Sequence, residues 1–138
     1  MKAVKWYDLG AFHLSLGIVL GREAYLKEYK RLTGFDEDKS ANYDAYGFVC
    51  DLEDHDGRHL NLVYFSDKML DVELEENLAG VCAHEAMHVV QFKWRRWGED
   101  RPGMEAEAHL VQFITTKLYR FLKKRKANHA GQVQSHSS

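Results

Sequence analysis

His84 and His88 stand four residues apart with Glu85 directly after the first, inside the strongest helical pattern of the chain. From Val81 to Val90 there is no proline, no glycine and no charged residue besides Glu85. The pattern predicts one helix over about residues 72–94. Positions four apart lie one turn apart on the same helix face, so both imidazoles can reach one ion. A helix that buries two metal ligands needs an apolar sleeve, and the valines, alanines and Cys82 around the motif supply it.

The remainder of the chain divides into short elements. Gly21-Arg22-Glu23 opens a helix to Leu32, with Tyr25, Tyr29 and Leu32 at helical spacing and Gly34 at the C-terminal cap position. Before it, Phe12-His13-Leu14-Ser15-Leu16 alternates as a short strand. Residues 45–52 and 60–65 are apolar, β-branched or aromatic, and flank an Asp56-Gly57 hairpin signal. Asp71 is a candidate cap for the motif helix, and Glu73, Glu75 and Glu76 suit its N-terminal dipole.

Gly98, Pro102 and Gly103 then mark a loop. A last helix covers residues 104–122, with Val111, Ile114, Leu118 and Leu122 along one face. The run Lys123-Lys124-Arg125-Lys126 reads as a solvated helix end, where cations suit the dipole. The polar residues 127–138 are expected to be unstructured, which leaves one domain over residues 1–126. There is no internal repeat.

Composition narrows the function. With 138 residues and 45% of them hydrophobic, one domain can fill a core. The 21 acidic and 19 basic residues give a formal charge of −2, which calls for neither nucleic acid nor an anionic membrane. The apolar run around Leu14 to Leu20 is broken by Ser15 and Gly17 and is too short to span a bilayer. Met1-Lys2-Ala3-Val4-Lys5-Trp6 lacks a leader pattern, so a cytoplasmic protein is expected. Cys50 and Cys82 form no motif and read as core thiols of a reducing compartment.

Glu85 lies beside the open position of an ion held by His84 and His88. There it can take a proton from water and pass it to a leaving amine. Val81-Cys82-Ala83-His84-Glu85-Ala86-Met87-His88-Val89-Val90, with Glu105-Ala106-Glu107-Ala108-His109 downstream, resembles the zincin metallopeptidases, specifically their gluzincin branch. The resemblance covers about residues 81–112; the chain is also similar to small metallopeptidase-like proteins of phages and prophages. Gluzincins often carry Glu-x-x-Ala-Asp or Glu-x-x-Ala-Asn, and this chain has His109 where the Asp or Asn would stand.

That resemblance implies a minimal zincin-like α+β domain. A small twisted sheet, antiparallel or mixed, would pack on the motif helix, with an N-terminal helix and a ligand-bearing C-terminal helix. It implies one Zn2+ held by His84, His88 and Glu105, with Glu85 catalytic and His109 bracing a ligand. His109 is also an alternative third ligand, and so is Glu107, which shares a helical row with Val111, Ile114 and Leu118. The metzincin variant is excluded, since Gln91 and Trp94 stand where it needs Gly and His. No residue can be assigned to the oxyanion, and His13, His55 and His59 read as surface or structural.

The expected substrate is a peptide or protein. Asn61-Leu62-Val63-Tyr64-Phe65 is either the edge strand along which it would add or an ordinary interior strand. A different reading keeps the zinc as a structural clamp in an interaction or phage assembly module. A third, a DNA-associated protease, would use Phe92-Lys93-Trp94-Arg95-Arg96-Trp97 as a stacking and phosphate platform. The overall charge favours packing for that segment.

Overall fold

Two apolar runs form the centre of the molecule. In the computed structural model, which describes residues 2–97 and 104–136, β2 (Leu14–Leu20) and β4 (His59–Phe65) pair in parallel, Leu14 opposite His59 and Leu20 opposite Phe65. Strand β1 (Val4–Leu9) joins β2, and β3 (Gly47–Glu53) joins β4, both antiparallel. The mixed four-stranded sheet has the order β1-β2-β4-β3, and with three helices it makes an α+β fold. The expected loop at Gly98, Pro102 and Gly103 lies outside the described residues.

Asn61-Leu62-Val63-Tyr64-Phe65 is therefore an interior strand, paired on both sides. All seven residues of β4 are buried, as expected of a strand covered on both faces. The edge strands are β1 and β3. The mixed sequence of β1, with exposed Lys5 and Asp8, hides it from a reading of apolar alternation. The strand expected over Phe12-His13-Leu14-Ser15-Leu16 divides, with Gly10–Phe12 forming a 3-10 turn before β2 begins.

Helix α1 (Arg22–Thr33) covers one face of the sheet. It stops where Gly34 turns left-handed (φ 82°) and donates its N–H to the Lys30 carbonyl, the backbone conformation glycine adopts without steric cost. Tyr25 is fully buried among the rings of Tyr29, Tyr43, Phe48 and Tyr64, and its hydroxyl donates to Asp38 Oδ2 at 2.5 Å. The β3–β4 hairpin turns at Gly57 (φ 80°), with Asp54 Oδ1 accepting the N–H groups of Asp56 and Arg58.

Helices α2 (Glu75–Trp97) and α3 (Met104–His136) cover the other face. Leu14, Leu16, Ile18, Val63 and Phe65 of the sheet meet Leu78, Cys82, Ala86, Val89 and Val90 of α2 and Leu110, Ile114, Leu118 and Leu122 of α3. Each fully buried Leu, Ile or Phe contributes about 1.5–3 kcal/mol, so this layer fixes the motif helix against the sheet. Helix α2 starts at Glu75, because residues 67–71 form a 3-10 turn capped by Ser66. Asp71 belongs to that turn and does not cap α2.

Helix α3 runs well past Leu122. Residues 123–136 contain no proline and are rich in helix formers, and residues 127–136, expected to be unstructured, are helical. The basic run is anchored to the fold. Lys123 pairs with Glu75, Lys126 Nζ donates to the carbonyls of Leu70 (3.1 Å) and Val72, and Arg125 donates to the Lys2 carbonyl. These contacts hold residues 70–75 against α3. No helix among the described residues is long and apolar enough to cross a membrane.

Candidate metal centre

The apolar row Leu78, Cys82, Ala86, Val89 and Val90 faces the core, which sets the orientation of the motif. His84 then falls on the solvent side, with its side chain 68% exposed, while Glu85 is only 3% exposed. One turn on, His88 turns its ring edge to that of His84, at an interplanar angle of 83°. The two Nε2 atoms lie 3.1 Å apart. Two nitrogens at about 2.0–2.1 Å from one tetrahedral zinc would stand about 3.3 Å apart.

The tautomer suits a ligand as well. His88 Nδ1 is 3.1 Å from Gln91 Oε1, an oxygen that only accepts. Nδ1 therefore carries the proton, and Nε2 keeps its lone pair for the side facing His84. A hydrogen bond of this kind orients a metal-binding imidazole. In the sequence Gln91 serves only to exclude the metzincin variant; its spacing of three from His88 is the signal that points to this contact.

Glu85 Oε1 is 3.8 Å from His84 Nε2, and the buried Oε2 has no hydrogen-bond partner among the described residues. Burial lifts the Glu85 carboxyl above its ordinary pKa, against smaller downward pulls from His84 and His88. Leaving a carboxylate buried and unpaired costs several kcal/mol. A proton or a nearby cation relieves that cost, so a positive charge held between the two imidazoles would suit the carboxylate beside them.

Both His84 and Glu85 line a cleft of about 1030 Å³ between the first half of α2, residues 71–74 and residues 45–47 ahead of and at the start of β3. Gly47 is the close approach. A Cβ there would lie 2.8 Å from the Tyr64 carbonyl oxygen and 3.5 Å from Glu85 Cγ. The edge strand beside the motif is thus β3.

The downstream residues are placed elsewhere. Glu105, 90% exposed, pairs with His109 one turn on at 3.4 Å. His109 lines a shallow apolar groove with residues 9–12 and Phe113, beside the β1–β2 connection at the opposite edge of the sheet from Gly47. Glu107 is half-buried on the same turn of α3. Among the described residues no three His, Cys, Asp or Glu side chains come close enough to hold an ion. His84 and His88 are brought together; Glu105, Glu107 and His109 are not brought to them.

The other candidates resolve individually. His13 and His55 are exposed. His59 is 5% exposed and paired through Nε2 with Asp51, which also accepts from Asn61 Nδ2 at 2.8 Å and from Arg96. In the Phe92–Trp97 stretch, Lys93 is 1% exposed and reaches towards the His13 carbonyl at 3.5 Å, and Arg96 is bound to Asp51 and Glu53. Two of its three cations are therefore engaged within the fold. Cys50 and Cys82 are free thiols, pushed by burial up to about 11 and about 12.

Comparison with protein-family models, with curated proteins and with solved structures found no match.

Proposed function

We propose that this chain is a zinc-dependent hydrolase that cleaves an amide bond of a peptide, with Glu85 as its general base and acid. The observation that carries the reading is the 3.1 Å approach of the His84 and His88 Nε2 atoms beside a buried carboxylate whose Oε2 has no hydrogen-bond partner among the described residues. His84 and His88 would hold the ion. A bound zinc ion supplies Lewis acidity, which brings the ionisation of water near neutrality.

The protein's own groups account for the proton. Glu85 is close enough to the His84 nitrogen to accept a proton from a water attacking the substrate carbonyl. Its burial strengthens its hold on that proton, which it then delivers to the leaving nitrogen. Gln91 keeps the His88 ring in its working tautomer. The cleft floor of α2 and the β3 edge admit an extended chain, whose backbone can hydrogen-bond along β3. The free thiols of Cys50 and Cys82 suit a cytoplasmic setting.

The test is turnover of a mixed peptide library, read by mass spectrometry, for the wild-type chain and Glu85→Gln, each supplied with zinc. Cleavage by the wild type with a loss of about 10²–10⁴ in Glu85→Gln, zinc being retained, is the expected result. Equal cleavage by both, or none by either while folding depends on zinc, would assign the metal to a structural role.

A further inference from the structure

The cleft that holds His84 and Glu85 has a second wall, and it is acidic. Asp71, Glu73 and Glu76 line it; all are exposed, and none has a hydrogen bond or ion pair among the described residues. Some exposed carboxylates elsewhere are paired: Glu75 is held by Lys123 and Tyr119, Asp8 by Arg58, and Asp36 by Lys30. Lys68 is the one Lys or Arg among the described residues that line the cleft, and its ammonium is directed to the Asp44 carbonyl at 2.9 Å.

The floor between this wall and the histidines is bare. Glu76, Gly80 and His84 follow one another at four-residue spacing on α2, so they lie along one face. A Cβ at Gly80 would meet nothing within 4 Å. Glycine in a helix interior is disfavoured relative to alanine, and no packing neighbour requires it here. Tyr46 and Leu74, both more than half exposed, stand beside the same floor. Independently of the wall, Glu85 lines this cleft, and its buried Oε2 has no hydrogen-bond partner among the described residues.

We propose that this wall selects a cationic side chain, lysine or arginine, of the peptide that is cut at His84 and Glu85. The proposal rests on the hydrolase reading and adds its substrate class. Eight helical residues separate Glu76 from His84, about 12 Å, and an extended peptide advances about 3.3 Å per residue. The basic side chain therefore sits within about four residues of the cleaved bond. Peptides carrying an acidic residue there meet three like charges that have no ion-pair partner among the described residues, and are rejected.

The experiment uses fluorescent octapeptides of one neutral sequence, with Lys, Gln or Glu scanned through each position. Binding is measured by anisotropy to zinc-supplied Glu85→Gln, and kcat/KM is measured with the wild type. At about 50 mM salt a Lys peptide should exceed its Glu counterpart by about tenfold in both, and the ratio should shrink at about 0.5 M salt. The triple variant Asp71→Asn/Glu73→Gln/Glu76→Gln should bring the ratio near one, and Glu76→Lys should favour the Glu peptide. Cleavage of all peptides without a charge preference, or a preference that survives the triple variant, overturns the substrate class and leaves the hydrolase reading intact. Absence of both cleavage and binding for every peptide overturns both.

Discussion

Gln91 Oε1 stands 3.1 Å from Nδ1 of His88, one turn beyond the ring that faces His84. This contact fixes which nitrogen of His88 is free to bind a cation, and Gln91 is itself exposed, so it does no work in the core. Gln91→Ala is expected to leave the unfolding midpoint of the metal-free chain within about 0.5 kcal/mol. It should weaken zinc binding by about 10–100-fold, read by competition with a chelating dye. Unchanged affinity would remove Gln91 from the site.

Gly47 joins the fold to the site. Its Cα leaves no room for a methyl, because the nearest atom is a backbone oxygen of β4 at 2.8 Å, which cannot move aside without disturbing the ladder. Gly47→Ala should destabilise the protein by about 1–3 kcal/mol in urea unfolding. It should also lower turnover, since the start of β3 is displaced from Glu85. An unaltered midpoint would show that β4 yields to a methyl at this position.

Acid sensitivity should arise at His59. Burial lowers its pKa from 6.5, only partly opposed by Asp51, and Arg96 and Lys93 push the same way as burial. The folded state therefore binds fewer protons there than the unfolded state. Stability from this group is complete above about pH 6.5 and is lost as pH falls towards the lower folded value. Urea midpoints of the metal-free chain between pH 7.5 and pH 5 should decline, and His59→Gln should flatten part of that decline. A midpoint slope identical in both proteins would contradict the assignment.

Several elements were legible in the sequence because local chemistry decides them. Helix α1 ends at Gly34, the hairpin turns at Asp56-Gly57, and α2 carries its histidines with the apolar row inward, as spacing alone implies. Strand β1 was missed because an edge strand with Lys5 and Asp8 exposed shows little alternation. The interior position of β4 follows from its partners, which no local pattern names. Helix α3 passes residue 126 because Lys123 and Lys126 find Glu75 and the carbonyls of Leu70 and Val72, residues some fifty positions earlier in the chain.

The pair His84 and His88 was legible for the same reason as α2, since one helical turn places both rings. Glu105, Glu107 and His109 depend on how α3 crosses the sheet, and its first turns lie near the β1–β2 connection. Helical periodicity gives the face of α3 but not the partner that face meets. The acidic wall at Asp71, Glu73 and Glu76 depends on the 3-10 turn over Asp67–Asp71 and on residues 72–74, which are not helical where the first turn of α2 was expected.

Zinc titration of the metal-free chain by calorimetry, repeated for His84→Ala, His88→Ala and Glu85→Gln, is the most direct measurement. One zinc per chain is expected for the wild type and for Glu85→Gln, with affinity lost by about 100-fold or more in either histidine variant. Wild-type protein that takes up no zinc at micromolar concentration, or His84→Ala that binds as tightly as wild type, would contradict a shared cation at His84 and His88.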